Sequence, residues 1–268
     1  MVSFTKLFTA GLVATSAMAA PMEVKRFATP PANKRGAAYN DVAAVDPLAN
    51  NGGISWAYDW AGSIFGILPS GVEFVPMLWG AKDFGGWITT IETALSSGSQ
   101  YILGFNEPDM PSQANMSPGD AASFYKTHIT PFAGQAKLIS PAVTSSTNTG
   151  MGLSWFESFI GSCGGCDITG LAVHWYGNTA DEFKSFVTQA MDTASKYNLD
   201  ELWITEFALN ADVNGSSDLA TTTAFLNDVI PWLNQQDGVT RYSYFMAADR
   251  YLLSGNTLNQ AGLAYVSQ

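Results

Sequence analysis

Short runs of apolar and β-branched residues alternate along the chain with longer segments whose apolar positions repeat at helical spacing. The runs predict eight β-strands, at Gly36–Tyr39, Ile54–Trp60, Glu73–Trp79, Tyr101–Phe105, Leu138–Val143, Ile168–Trp175, Leu202–Phe207 and Tyr242–Phe245. The longer segments predict helices, at Trp87–Ser96, Asp120–Phe132, Leu153–Ile160, Asp181–Tyr197 and Ser217–Gln235. Strand and helix alternating in this way over about 230 residues predict an α/β fold, a single parallel (β/α)8 TIM barrel.

A doubly wound open sheet is the competing arrangement. It would be favoured by a glycine-rich phosphate loop after the first strand, and the segment GAAYND at 36–41 is not such a loop. In a barrel the functional residues lie at the carboxyl ends of the strands. Polar, acidic and aromatic residues gather at those predicted ends, at Trp60, Trp79, Asn106-Glu107, His174-Trp175-Tyr176 and Glu206.

The first 35 residues have the composition of targeting and processing segments. Residues 1–20 combine Lys6, a short apolar stretch and Ala-Met-Ala, which predicts a secretory signal peptide; a buried N-terminal helix is the alternative. Residues 21–35 contain prolines and two dibasic pairs, Lys25-Arg26 and Lys34-Arg35. We expect a pro-segment cut before Gly36, although a linker that stays attached is also compatible. The catalytic domain is then 36–268 of a secreted, extracellular or cell-wall protein.

Removal of these residues would make the chain strongly acidic. Five of the 12 basic residues and one of the 23 acidic residues lie in 1–35, which leaves 7 and 22 and a net charge of −15. Such a surface repels nucleic acid and anionic membranes but does not affect a neutral polymer. We therefore expect no nucleic-acid partner and no membrane partner. The sequence leaves the oligomeric state open, and a monomer is the default expectation.

The two cysteines form the pattern Cys163-Gly-Gly-Cys166. In a cytosolic protein this spacing would suggest a redox motif or half of a zinc site, but no second pair follows. In an oxidising compartment it predicts a small structural disulfide, with free thiols as the alternative. The sequons at Asn115 and Asn214 agree with secretion. No metal site and no cofactor are expected.

Two glutamates at predicted strand ends are the candidate catalytic residues. Glu107 follows the strand YILGF and is flanked by Asn106, which can bind a substrate hydroxyl, and by Pro108, which ends the strand. Glu206 closes the run Leu202–Thr205, where a carboxylate is costly to bury unless it is used or paired. The mature chain has few cations to pair with it.

Two carboxylates across a barrel mouth are what acid-assisted glycosidic cleavage requires. One is protonated and donates to the leaving oxygen, while the other is ionised and attacks the anomeric carbon. A separation of roughly 5–5.5 Å would predict retention of configuration.

Aromatic residues and a histidine surround these acids in the predicted barrel. His174 and Tyr176 are two residues apart and should face the same side. His174 could bind a substrate hydroxyl or Glu206, or be an ordinary core histidine. Trp60 and Trp79 are candidate stacking platforms for sugar rings.

Several motifs together resemble glycoside hydrolase family 128, namely RGAAYND (35–41), ISWAYDW (54–60), EFVPMLWG (73–80), GFNEPD (104–109), ISPAV (139–143), VHWYG (173–177) and WITEFA (203–208). The resemblance implies a barrel, a retaining mechanism and an endo-β-1,3-glucanase or β-1,3-glucan-binding protein. It also implies Glu107 as acid/base and Glu206 as nucleophile. Substrate contacts are implied for Asn106, Trp79, His174 and Tyr176. A glucan-binding protein with little catalysis and a glycanase of another β-linkage remain alternatives.

Overall fold

The computed structural model describes residues 33–268, so the predicted signal peptide and residues 21–32 of the predicted pro-segment lie outside the described residues. Eight parallel strands follow each other around the fold in chain order. They are β1 (Gly36–Ala38), β2 (Trp56–Tyr58), β3 (Glu73–Phe74), β4 (Tyr101–Ile102), β5 (Lys137–Val143), β6 (Ile168–Gly177), β7 (Glu201–Leu209) and β8 (Val239–Tyr244).

Two seams close these strands into a ring. Continuous ladders join β1 to β3 and β4 to β8. Between β3 and β4 the seam is a parallel bridge from Met77 to Leu103. Between β8 and β1, Arg35 bridges Tyr242, whose backbone N–H donates to the carbonyl of Lys34 at 3.0 Å. The closed ring therefore confirms the predicted (β/α)8 barrel, and the competing doubly wound open sheet is excluded.

Residues immediately before β1 are part of this barrel. The Lys34 ammonium donates to the carbonyl of Gln236 at 2.8 Å, and the Arg35 Nε donates to the carbonyl of Gly53 at 3.0 Å. The Trp56 indole N–H donates to the Lys34 carbonyl at 3.1 Å. The structure thus places Asn33–Arg35, the last residues of the predicted pro-segment, within the barrel.

Helices follow most of the strands and surround the ring. They are α1 (Asp46–Ala49), α2 (Trp87–Ser96), α3 (Pro118–His128), α4 (Gly152–Ser162), α5 (Ala180–Lys196), α6 (Asn210–Val213), α7 (Leu219–Gln235) and α8 (Gln260–Val266). A short hairpin of β9 (Leu253–Ser254) and β10 (Thr257–Leu258) precedes α8. Ser117 caps α3, and Thr179 with Glu182 forms a capping box at α5. None of the helices in residues 33–268 is long and apolar enough to span a bilayer.

The interior of the ring is filled by side chains rather than left as a channel. Trp56, Tyr101 and Trp203 surround the guanidinium of Arg241, whose carbon lies 5.7, 4.5 and 4.8 Å from their ring centroids. Arg241 is only 1% exposed and pairs with Glu73 at 2.6 Å. A second, larger apolar core lies between the ring and the helices.

Strands β2, β3 and β4 end at Tyr58, Phe74 and Ile102, earlier than the predicted ends at Trp60, Trp79 and Phe105. Trp60 and Glu107 both adopt left-handed backbone conformations, with φ of 57° and 43°. A side chain in this region costs about 1–3 kcal/mol and cannot continue an extended strand. The chain therefore turns at both positions, and both side chains lie at the mouth of the barrel.

Candidate active site

A cavity of about 510 Å³ opens at the carboxyl ends of the strands. It contains both candidate glutamates and most of the predicted substrate contacts. The residues that line it are Asn40, Asp59, Trp60, Trp79, Asn106, Glu107, Gln113, Tyr176, Glu206, Val213 and Phe245.

Glu107 is held in place by the backbone that follows β4. Asn106 bridges Ala142 of β5, and the Glu107 N–H donates to the Ala142 carbonyl at 2.8 Å. Glu107 as a whole residue is 7% exposed, and its Oε1 lies 2.8 Å from Nδ1 of His174. The acid therefore faces the cavity through a small opening and has one side-chain partner.

Glu206 lies in β7 and accepts two hydrogen bonds from aromatic side chains. The Trp60 indole N–H donates to Oε1 at 2.7 Å, and the Tyr176 hydroxyl donates to Oε2. Burial, followed by the charge of Glu206, raises the pKa of Tyr176 well above its usual value, so the hydroxyl keeps its proton. No lysine or arginine in residues 33–268 forms an ion pair with Glu206. The hydrogen bonds to this buried carboxylate therefore come from the neutral side chains of Trp60 and Tyr176.

His174 lies beneath the two carboxylates. Its Nδ1 is 2.8 Å from Glu107 Oε1 and 3.4 Å from Glu206 Oε2, while its Nε2 is 2.9 Å from the Thr205 hydroxyl. Burial lowers the pKa of His174, but the charge of Glu206 and the hydrogen bond to Glu107 outweigh it and the pKa is raised.

This position changes the role expected for the histidine. His174 is fully buried and does not line the cavity, so the structure places it against Glu107 and Glu206 instead of against substrate.

The two carboxylates are close enough to act on one bond. One oxygen of Glu107, one of Glu206 and a nitrogen of His174 all lie within 4.8 Å of one another. Carboxyl groups lie roughly 5–5.5 Å apart in retaining glycosidases and roughly 6.5–9.5 Å apart in inverting ones, and an oxygen-to-oxygen approach of at most 4.8 Å fits the shorter separation better. The same three groups could ligate a metal ion. Hydrogen bonds within the protein already use them, and the absence of a metal site stays a prediction.

Trp79 and Trp60, the two residues predicted to stack on sugar rings, have different surroundings. The Trp79 ring lines the cavity and has the Lys82 ammonium 3.6 Å from its centroid, which leaves one face for a ligand. Trp60 also lines the cavity, but its indole N–H is directed to Glu206. Asn106 is 4% exposed; its amide donates to Gln113 at 3.3 Å, whereas its buried Oδ1 has no partner. That oxygen is an unsatisfied buried acceptor in the wall of the cavity.

Five residues that line the cavity were not predicted as site residues from the sequence: Asn40, Asp59, Gln113, Val213 and Phe245. Asp59 carried a usable signal, because it is an acid directly before Trp60 at a predicted strand end. Burial raises the pKa of Asp59 from 3.8 to about 6. Asn40 and Phe245 carried a similar signal, since they lie at the ends of predicted strands. Gln113 and Val213 had none, because a loop and the short helix α6 bring them to the cavity.

Cys163 and Cys166 form a disulfide between α4 and β6, outside the cavity. The other histidine, His128, stacks on Phe84 with ring centroids 4.1 Å apart. Both features belong to the outer framework of the barrel.

Comparison with known proteins supports a carbohydrate-active site. A family model described as glycosyl hydrolase catalytic core matches residues 36–265. Among curated proteins, alkali-sensitive linkage protein 1 of Schizosaccharomyces pombe is 28% identical over 252 residues, which cover 87% of this chain. The chain spans only 44% of that relative's length.

Solved structures match over almost their whole length. A curdlan-specific exo-β-1,3-glucanase of family GH128, subgroup III, from Blastomyces gilchristii is 38% identical, with a TM-score of 0.82, covering 90% of this chain and 100% of its own. A GH128 subgroup I endo-β-1,3-glucanase from Amycolatopsis mediterranei, solved with laminaritriose, is 29% identical (TM-score 0.72; 88% and 99% covered). A subgroup II endo-β-1,3-glucanase from Sorangium cellulosum is 28% identical (TM-score 0.71; 87% and 98% covered).

Proposed function

The chain belongs to glycoside hydrolase family 128, and we propose that it is a secreted enzyme that hydrolyses internal β-1,3-glucosidic bonds with retention of configuration. The observation that carries this proposal is the pair of buried glutamates with oxygens within 4.8 Å of each other at the barrel mouth. That spacing suits direct attack by one carboxylate better than attack by an interposed water.

The two acids take different roles because their surroundings differ. Glu206 accepts two hydrogen bonds from Trp60 and Tyr176, which fix the positions of both its oxygens. Glu206 is therefore the nucleophile. Glu107 has only His174 as a side-chain partner and is the acid/base.

The reaction then proceeds in two displacements. A Glu206 oxygen attacks the anomeric carbon as the glycosidic bond breaks, and the Glu107 proton passes to the leaving oxygen. Water next attacks the glycosyl ester, Glu107 takes one of its protons, and Glu206 leaves as a carboxylate. His174 lies within reach of both acids and can donate to whichever one is ionised.

A neutral glucan suits the rest of the cavity. The free face of Trp79 can stack on the apolar face of a sugar ring. The Asn106 side chain lines the same cavity and supplies polar amide groups beside a sugar hydroxyl. The acidic side chains do not oppose an uncharged chain.

The decisive experiment is release of reducing sugar from curdlan, laminarin and a β-1,4-glucan. We expect hydrolysis of the two β-1,3-glucans only. Glu107→Gln and Glu206→Gln should each abolish most activity while unfolding like the parent. Glu157→Gln, at an exposed ion pair with Lys196, is the matched control and should retain activity.

Further measurements separate the roles and the location. Azide should rescue Glu206→Ala by replacing the nucleophile, and wild-type turnover by Glu206→Gln would refute the assignment. NMR of the first product should show the β-anomer. Recovery from culture medium followed by N-terminal sequencing tests secretion.

Exo action is a second candidate, because the 38% identical structure is that of an exo-β-1,3-glucanase. The product pattern from defined β-1,3-gluco-oligosaccharides decides between the two. Mixed oligosaccharides at early times support internal cleavage, whereas a single small sugar supports action at chain ends. Glucan binding without sugar release would instead indicate a binding protein.

A further inference from the structure

A second cavity lies beside the catalytic one and is not used by the proposed chemistry. Its volume is about 560 Å³. One wall is the chain from α6 to the start of α7, and the other is the segment around the β9–β10 hairpin. The residues that line this cavity include Val213, Asn214, Asp249, Arg250, Tyr251 and Asn259.

Two contacts connect this cavity to the catalytic one. Val213 is 42% exposed and lines both cavities. Tyr251 of the second cavity packs edge-on against Phe245 of the catalytic cavity, with ring centroids 5.7 Å apart. A ligand that leaves the catalytic cavity over Val213 therefore meets Tyr251 directly.

The chemistry of the second cavity suits a sugar. Tyr251 is only half-buried and offers an aromatic surface. The Arg250 guanidinium forms no ion pair within residues 33–268, so its donors are free. The exposed Asp249 carboxylate accepts the Gly255 N–H at 3.0 Å and has further acceptor capacity. An aromatic face beside free donors and acceptors is how proteins hold an uncharged, hydroxyl-rich ring.

We propose that this second cavity is a distal binding subsite for the same β-1,3-glucan chain that occupies the catalytic cavity, with Val213 as the ridge between the two. The subsite rests on the proposed function, since it takes the continuation of the same substrate. The subsite should increase the activity on glucan chains that extend past Val213, compared with shorter chains that fill only the catalytic cavity.

Chain-length dependence tests the subsite. The readout is the kcat/KM for laminarihexaose divided by the kcat/KM for laminaritriose, and it is measured on the full chain. Tyr251→Ala removes the aromatic surface, and Asn214→Trp narrows the cavity without touching the Tyr251–Phe245 contact. Protein is produced without N-glycosylation because Asn214 begins a sequon. Gln189→Trp, at an exposed position on α5, is the matched control.

We expect both subsite variants to lower the hexaose-to-triose ratio by roughly tenfold, while Gln189→Trp leaves it unchanged. Tyr251→Phe should keep most of the ratio, since the ring does most of the binding. An unchanged ratio in both subsite variants would overturn the subsite. A wild-type chain that cleaves neither oligosaccharide would instead overturn the proposed function.

Discussion

Asp59 provides a test of the electrostatics at the barrel mouth. It is the third carboxylate of the catalytic cavity and takes no part in the proposed chemistry. Its Oδ1 accepts the Ala61 N–H at 3.2 Å. Asp59→Asn keeps that acceptor and the shape of the side chain but removes the charge, so it isolates the cost of burying the ionised form.

The pKa of Asp59 sets the size and sign of the effect. Burial raises it from 3.8 to about 6. At about 1.36 kcal/mol per pKa unit, the ionised form costs at most about 3 kcal/mol in the folded protein. Because the group is partly exposed to solvent, we expect about 1–2 kcal/mol. Below about pH 3.8 the carboxyl is protonated in both states and costs nothing; stability is lost as the pH rises through about 6.

Urea denaturation of the wild type and Asp59→Asn at about pH 3.5 and about pH 7.5 measures this cost. The variant should match the wild type at the lower pH and be more stable by about 1–2 kcal/mol at the higher pH. Asp192→Asn, on the exposed side of α5, controls for the chemical change itself. A variant equally stable to the wild type at both pH values would refute the reasoning, as would a variant less stable at the higher pH.

Three further predictions concern the framework. Glu73→Gln leaves the buried Arg241 guanidinium without its counter-charge and should lower the free energy of unfolding by about 3–5 kcal/mol; an unchanged urea midpoint would contradict this. Gly104→Ala would place a Cβ 2.6 Å from the backbone of β5, so we expect a loss of about 1–3 kcal/mol by the same measurement. Replacing Cys163 and Cys166 by serine should cost about 2 kcal/mol because the closed loop is short, with activity at 25 °C retained; lost activity in a folded variant would show that the loop reaches the site.

The strands and helices could be predicted because apolar periodicity is a local property of the sequence. The position of Glu206 followed from the same rule, since an acid at the end of an apolar strand faces the barrel mouth. The left-handed backbone at Trp60 and Glu107 could not be predicted, because neither residue type favours it and tertiary contacts impose it.

How deep His174 lies in the barrel interior also could not be predicted from the sequence. Alternation along β6 correctly put His174 and Tyr176 on one side. Barrel strands are tilted, however, so inward residues two apart fall in successive layers of the interior. Tyr176 reaches the cavity, whereas His174 lies one layer below it and meets the carboxylates from beneath.

The seam between β8 and β1 has a consequence for the order of folding. Lys34 and Gln236 are 202 residues apart in the chain, yet they meet at this seam. Because synthesis proceeds from the N-terminus, the edge of β1 that faces β8 must remain unpaired until nearly the whole chain has been made. Contacts of such high sequence separation form late and slowly. A protease that cuts after Arg35 once the ring is complete would thus release residues that hold the first and last strands together.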